Sequence, residues 1–345
     1  MGTDVDLVIT YDKPFYHPGS QVNGSIFLYV RSPCQISNLT MDIKGLERTK
    51  ATRHWTTTRT SGVGKNRRTR TYHHYSTCKH ERSIYNYSFP VYQSNSTILQ
   101  IGQYQYPFSF TFPTYLANSF SKEFVDQHRR NSYAYIEYKI ECTLIFAYNS
   151  PPKTSEIVLE IVQDTKGIDS DLNNETSILI EQDIKCYCCF PCGQVKGKVS
   201  FEKMEYQTGD IATINVDLDN VNGPDIGDLR AVLKQYVSVK ALLGHSNKID
   251  RVVSVNPENI GGSDQSKMKK KEAGQRTFKI QIPKTLDNMV KTFNVTCDYS
   301  LEFTAITDFF CKCYMYDKDP SAFVPVNIFR FHGDGGMVQH QQLEQ

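Results

Sequence analysis

The chain has 345 residues, with 39 Lys or Arg against 37 Asp or Glu and a formal net charge of +2. That balance carries no chain-wide signature of nucleic-acid binding, and no apolar run approaches the roughly 18 residues of a membrane-crossing helix. At about 150 residues per domain the length predicts two domains, and the 21 Tyr and 19 Phe among abundant Thr, Val and Ile favour strands over helices.

Val5, Leu7 and Ile9 alternate along Asp4–Tyr11, the period of a half-buried strand. Tyr16-His-Pro-Gly19 then leads into Val22, Ile26 and Leu28 on alternate positions, and Leu39, Met41 and Ile43 continue the pattern. Arg48 to Arg82 changes character. It holds ten Lys or Arg against one acid, Glu81, with four histidines. Its centre, Ser61 to Arg70, reads as a mobile basic hairpin tip. Lys65, Arg67, Arg68 and Arg70 are the candidates there for holding phosphates or an anionic surface. A phosphate-binding loop is excluded, since Arg59 stands where its first glycine is required and Asn66 follows Lys65.

Tyr104, Tyr106, Phe108, Phe110 and Phe112 alternate up to Pro113. Phe120 to Arg130 reads as a short helix. Tyr133–Phe146 and Ile157–Val162 read as strands, and the polar stretch Asp164–Asn174 as a linker. Cys186, Cys188, Cys189 and Cys192 then fall within seven residues. With Cys311 and Cys313 they form a candidate thiol shell for zinc or copper, although neither spacing is the paired CxxC pattern. Structural thiols, or lipidated or redox-active ones, are the alternatives. The N-terminus lacks the regions of a signal peptide, so a cytosolic chain with few disulfides is expected.

The Tyr-x-x-Gly unit recurs at Tyr206–Gly209, followed by Ala212, Ile214, Val216 and Leu218. A recurring turn-plus-strand near the start of each half suggests duplicated β domains. Leu229–Leu243 reads as a long strand and Asn247–Gly274 as a loop. Phe278–Ile282, Phe293–Phe303 and Phe323–Phe331 read as strands. No catalytic or dinucleotide-binding motif occurs, so neither an enzyme nor a cofactor is expected.

These residues together resemble the arrestin-domain proteins, the α-arrestins more than the visual and β-arrestins. The opening Tyr16-x-Pro18-Gly19-Ser20-x-Val22-x-Gly24 is similar to the family's Tyr-x-Pro-Gly-Glu-x-Val-x-Gly. Gly102 to Pro113 with Ser119-Phe120 is the most specific match, and Ile43-x-Gly45, Trp55 and Tyr135 to Ile140 accompany it. In the second half Gly197, Tyr206-x-x-Gly209-Asp210, Asn220, Lys234-Gln235, Ile282-Pro283, Cys297-x-Tyr299-x-Leu301 and Val324-Pro325-Val326 follow in the family's order. Ser20 and Ala117 depart from the family's acid and proline.

The resemblance implies an all-β fold of two tandem immunoglobulin-like antiparallel β-sandwiches, residues 1–163 and 182–332, with a linker at 164–181 and a polar tail at 333–345. It implies a non-catalytic adaptor in endocytic or endosomal trafficking. Its partners would be cytoplasmic regions of membrane-protein cargo and trafficking or ubiquitination machinery, with an anionic membrane surface as a further candidate and no nucleic acid. A retromer-type coat subunit of the same fold is a close alternative, and a Cys-rich metal or redox β-protein a distant one. Many α-arrestins recruit a ubiquitin ligase through Pro-Pro-x-Tyr. This chain has Pro151-Pro152-Lys153-Thr154 instead, so that route is not expected.

Overall fold

A three-stranded antiparallel sheet of β1 (Val5–Tyr11), β3 (Gln21–Val30) and β6 (Gly102–Thr111) forms one layer of the first half. The second layer contains β2 (Phe15–Tyr16), β9 (Lys153–Ile161), β8 (Asn131–Phe146), β4 (Cys34–Ser61) and β5 (Arg68–Leu99), in that order. In this layer β7 (Phe120–Val125) also pairs with β8. The computed structural model describes residues 4–62, 67–125, 131–147, 150–163, 175–186, 190–221, 223–255, 267–308 and 319–329.

The second half repeats the scheme. One layer is β10 (Thr176–Cys186), β11 (Phe190–Phe201), β13 (Ile211–Asp219) and β16 (Ala273–Gln281). The other has the order β12 (Glu205–Gln207), β19 (Ser321–Phe329), β18 (Val295–Thr307), β14 (Ile226–Lys240) and β15 (Ser246–Val255). A short β17 (Val290–Lys291) pairs with β18. Strand β10 begins at Thr176, inside the stretch expected as a linker, and pairs with β11.

The duplication reaches individual hydrogen bonds. The two short strands β2 and β12 pair in parallel with β9 and β19, and each buries its tyrosine, Tyr16 or Tyr206. Gly19 and Gly209 follow with φ of 82° and 97°. In one copy Phe112 N–H donates to the Ser20 carbonyl; in the other Ile282 N–H donates to the Asp210 carbonyl. Ser20, the departure from the family's acid, still closes its turn, because its hydroxyl donates to the His17 carbonyl at 2.7 Å. Asp210 does the same by accepting from Gln207 N–H at 3.0 Å. Tyr138 on β8 and Tyr299 on β18 are both buried, and each donates its hydroxyl to a carbonyl of the preceding connection, Ala117 or Asp287, at 2.9 Å.

Two expectations fail. Phe120–Val125 is a strand, not the start of a helix, and its Phe120 and Phe124 are buried. A spacing of four puts two phenylalanines on one face of a helix and equally on one face of a strand, so the sequence period was ambiguous. Ser246–Val255, read as loop from Asn247 onward, is the edge strand β15, with Ile249 and Val253 packed on the core and Lys248, Asp250, Arg251 and Val252 exposed.

Gly209 has no heavy atom nearer to an added Cβ than Lys284 Cγ at 3.9 Å. Gly209→Ala therefore isolates the backbone strain of a positive φ, and a loss of about 1–2 kcal/mol in denaturant unfolding is expected. Burial raises the thiols of Cys142 and Cys297 and the phenol of Tyr206 to about 12. In the unfolded chain a thiol ionises near 9.0. The neutral forms are favoured by folding, so this stability is complete below about pH 9 and declines as pH climbs toward 12. Melting temperature measured across that range is expected to fall with rising pH.

Candidate functional site

Two features set this chain apart from a plain pair of sandwiches: a polar junction between them and a long arm that emerges beside it. The arm is the β4–β5 hairpin. Its strands pair from Cys34↔Leu99 to Ser61↔Arg68, so the basic stretch Arg48–Arg82 is regular ribbon up to that pair, which lies at the start of the Ser61–Arg70 segment read as its tip. On its other side β4 pairs with β8 only as far as Lys50↔Tyr133. Beyond that point, among the described residues, no other strand pairs with β4 on that side.

The first groups to lose β8 are the amide and carbonyl of Thr52, which is buried. An unpaired buried backbone group costs about as much as a lost hydrogen bond. Asn247, from the start of β15 in the other sandwich, takes the missing place. Its Oδ1 accepts from Thr52 N–H at 2.6 Å and from Ser132 Oγ at 2.9 Å, and its Nδ2 donates to the Thr52 carbonyl at 3.1 Å. One carboxamide thus does the work of a neighbouring strand. Around it Thr49 Oγ1 donates to the Lys240 carbonyl at 2.9 Å, and Asn294 Nδ2 donates to buried Glu47 at 2.5 Å. His245 Nε2 lies 3.1 Å from Ser76 Oγ on β5. Residues 47, 49, 52 and 76 of the arm's root are therefore held by residues 240, 245, 247 and 294 of the second sandwich.

A second set of contacts joins the sandwiches with local two-fold character. Asn118 Nδ2 donates to the Met289 carbonyl at 2.6 Å, and Asn288 Nδ2 donates to the Ser119 carbonyl at 3.0 Å. Both asparagines end the same motif, Pro113-x-x-Leu116-x-Asn118 and Pro283-x-x-Leu286-x-Asn288. A duplicated segment meeting its own copy makes a self-complementary contact, as in a symmetric dimer. The sequence reading missed this, although the shared Pro-x-x-Leu-x-Asn spacing was its signal. Alongside, Asp287 Oδ2 receives Lys122 Nζ at 2.5 Å, Gln235 Nε2 at 2.8 Å and Arg251 Nη2 at 3.3 Å. Arg251 Nε also donates to Gln235 Oε1 at 2.7 Å. Lys122 comes from the first sandwich, so this ion pair also spans the junction.

Of the candidate residues, Arg67, Arg68 and Arg70 are exposed at the far end of the arm, while Lys65 lies outside the described residues. Arg53, Arg59, Arg67, Arg68 and Arg70 have no carboxylate partner among the described residues. Cys188, Cys189, Cys311 and Cys313 also lie outside them, and Cys186 and Cys192 are placed only as backbone in β10 and β11. The proposed thiol shell is thus not brought together or separated here. Among the described residues no helix is long and apolar enough to cross a membrane.

Asn247→Ala would leave the Thr52 amide and carbonyl buried without that partner, at a cost of about 1–3 kcal/mol. The expected readouts are a lower denaturation midpoint and faster hydrogen exchange at Thr52 than in the native chain.

The arrangement fits what comparison with known proteins finds. Residues 5–166 match the arrestin (or S-antigen) N-terminal domain, and residues 191–331 match the arrestin (or S-antigen) C-terminal domain. The chain is 23% identical over 267 residues to arrestin domain-containing protein 17 of Caenorhabditis elegans. That match takes in 72% of this chain and 56% of the relative, so the chain spans little more than half of the relative's length. With two arrestin domains matched in order across two duplicated β-sandwiches, the chain belongs to the arrestin-domain family.

Proposed function

We propose that this chain is a non-catalytic adaptor that binds cytoplasmic regions of membrane-protein cargo and assists their endocytic or endosomal trafficking. The observation that carries this reading is the junction. Two sandwiches joined by matched hydrogen bonds and the Lys122–Asp287 ion pair form a platform of fixed geometry. Such a platform suits presentation of binding edges more than chemistry. Strands β5 and β15 end their sheets, and among the described residues no strand pairs with the outer side of either. Extended cytoplasmic tails bind such edges by backbone hydrogen bonds, with side-chain pockets adding selectivity.

In this reading the chain works at the cytoplasmic face of the plasma membrane or endosomes, recruited peripherally, and delivers cargo to sorting or ubiquitination machinery. Proximity labelling with the tagged chain in cells tests it. Enrichment of membrane proteins and sorting components is the expected result. Recovery of soluble enzymes alone, with no membrane or sorting protein, overturns it.

A further inference from the structure

The β4–β5 arm is two-sided. In an antiparallel ribbon, directly opposed residues project from the same face. The register sorts the outer arm into two sets. One face carries Arg53 opposite Ser76, Trp55 opposite His74, Thr57 opposite Tyr72, Arg59 opposite Arg70 and Ser61 opposite Arg68. The other carries His54 opposite Tyr75, Thr56 opposite His73, Thr58 opposite Thr71 and Thr60 opposite Thr69. Every arginine of the paired segment is on the first face. So are Trp55 and Tyr72, both exposed, with Trp55 stacked on His74 and beneath the Arg53 guanidinium at 5.9 Å.

From Arg53 to Ser61 the arm is nine residues, about 30 Å at strand spacing. Among the described residues no third strand borders it. The charge is polarised as well. Between Ala51 and His80 there are seven Lys or Arg and no Asp or Glu, while the chain as a whole carries +2, so all other residues together carry a net −5.

From this two-sidedness we propose that the Arg53–Trp55–Tyr72–Arg59–Arg70–Arg68 face of the arm docks on an anionic lipid bilayer. A long, open, single-sided surface matches a plane better than a compact ligand. Tryptophan and tyrosine settle at the headgroup level of a bilayer, and arginines beside them meet anionic lipid. The negative remainder is repelled by the same bilayer, so the charge pattern orients the molecule with its arm toward the membrane. A nucleic acid would also offer phosphates to arginines and stacking partners to aromatics. The oligonucleotide titration below separates that reading from the bilayer. The proposal rests on the adaptor reading for its setting but not for its test.

Trp55 is the only tryptophan in the chain, so its fluorescence reports on this face alone. The full chain is titrated with phosphatidylcholine vesicles, with and without phosphatidylserine, and with a single-stranded oligonucleotide. Expected are a blue shift of Trp55 emission and quenching by brominated lipid with phosphatidylserine vesicles only, both weakening as salt is raised. Arg59→Gln, Arg68→Gln and Arg70→Gln are expected to lower the vesicle partition coefficient by roughly fivefold each. His73→Gln and Thr58→Gln on the opposite face are expected to leave it unchanged.

No Trp55 response to anionic vesicles overturns the proposal. So does equal binding by the arginine variants, or a stronger response to the oligonucleotide than to the vesicles. The salt and brominated-lipid arms use the native chain and stand even where a variant fails to fold. Because no cargo is present, a negative vesicle result leaves the adaptor reading intact, and a failed proximity experiment leaves the vesicle result intact.

Discussion

A strand that outruns its neighbour must find other partners for its backbone, and this chain's architecture turns on where that happens. Strand β4 loses β8 after Lys50. The groups next in line, at Thr52, are buried against the second sandwich, and Asn247 bonds both of them. Remove that substitution of side chain for strand and the arm's root loses the Asn247 bonds to buried backbone groups. The arm's root would keep its Thr49, Glu47 and Ser76 contacts to the second sandwich but lose this bond to its backbone. The clamp therefore does two jobs: it joins the sandwiches, and it aims the ribbon.

The remaining junction contacts are polar for a related reason. Both halves descend through the same connection before β7 and β17, and each connection ends in an asparagine that reaches into the other half. Amide–carbonyl bonds are directional, so they set an orientation that an apolar contact would leave free to slide. Asp287 then gathers Lys122, Gln235 and Arg251 at one carboxylate oxygen. With side chains of Lys122 and Asp287 only partly exposed, this pair is less screened by salt than one in open water. A fixed orientation is what the proposed adaptor role requires, so that the two sheet edges and the arm proposed to dock on a membrane act together.

Much of the fold was legible in the sequence because strands with one buried face write themselves as period-two alternation. Val5-Leu7-Ile9, Tyr104 to Phe112 and Phe293 to Phe303 all fall in or against strands. The alternation failed where it was ambiguous or diluted. Phe120 and Phe124 fit two periods at once, and β15 is an edge strand whose alternation is diluted by exposed Lys248, Asp250, Arg251 and Val252. The basic stretch was visible as composition, but its two faces were not, since they depend on which residue of β4 opposes which residue of β5.

The sequence by itself determined the duplication, the all-β class and the family. Those are carried by local turns and alternation, each a property of a few neighbouring residues. Tertiary structure decided everything that depends on residues far apart in the chain. Asn247 meets Thr52 across 195 positions, and Asn118 meets Met289 across 171. Nothing local in either segment encodes its partner. The sorting of the outer arm's arginines onto one face, with Trp55 and Tyr72 beside them, is likewise a matter of register. A slip of one residue along either strand would put its side chains on the other face and leave the same composition with no directed surface.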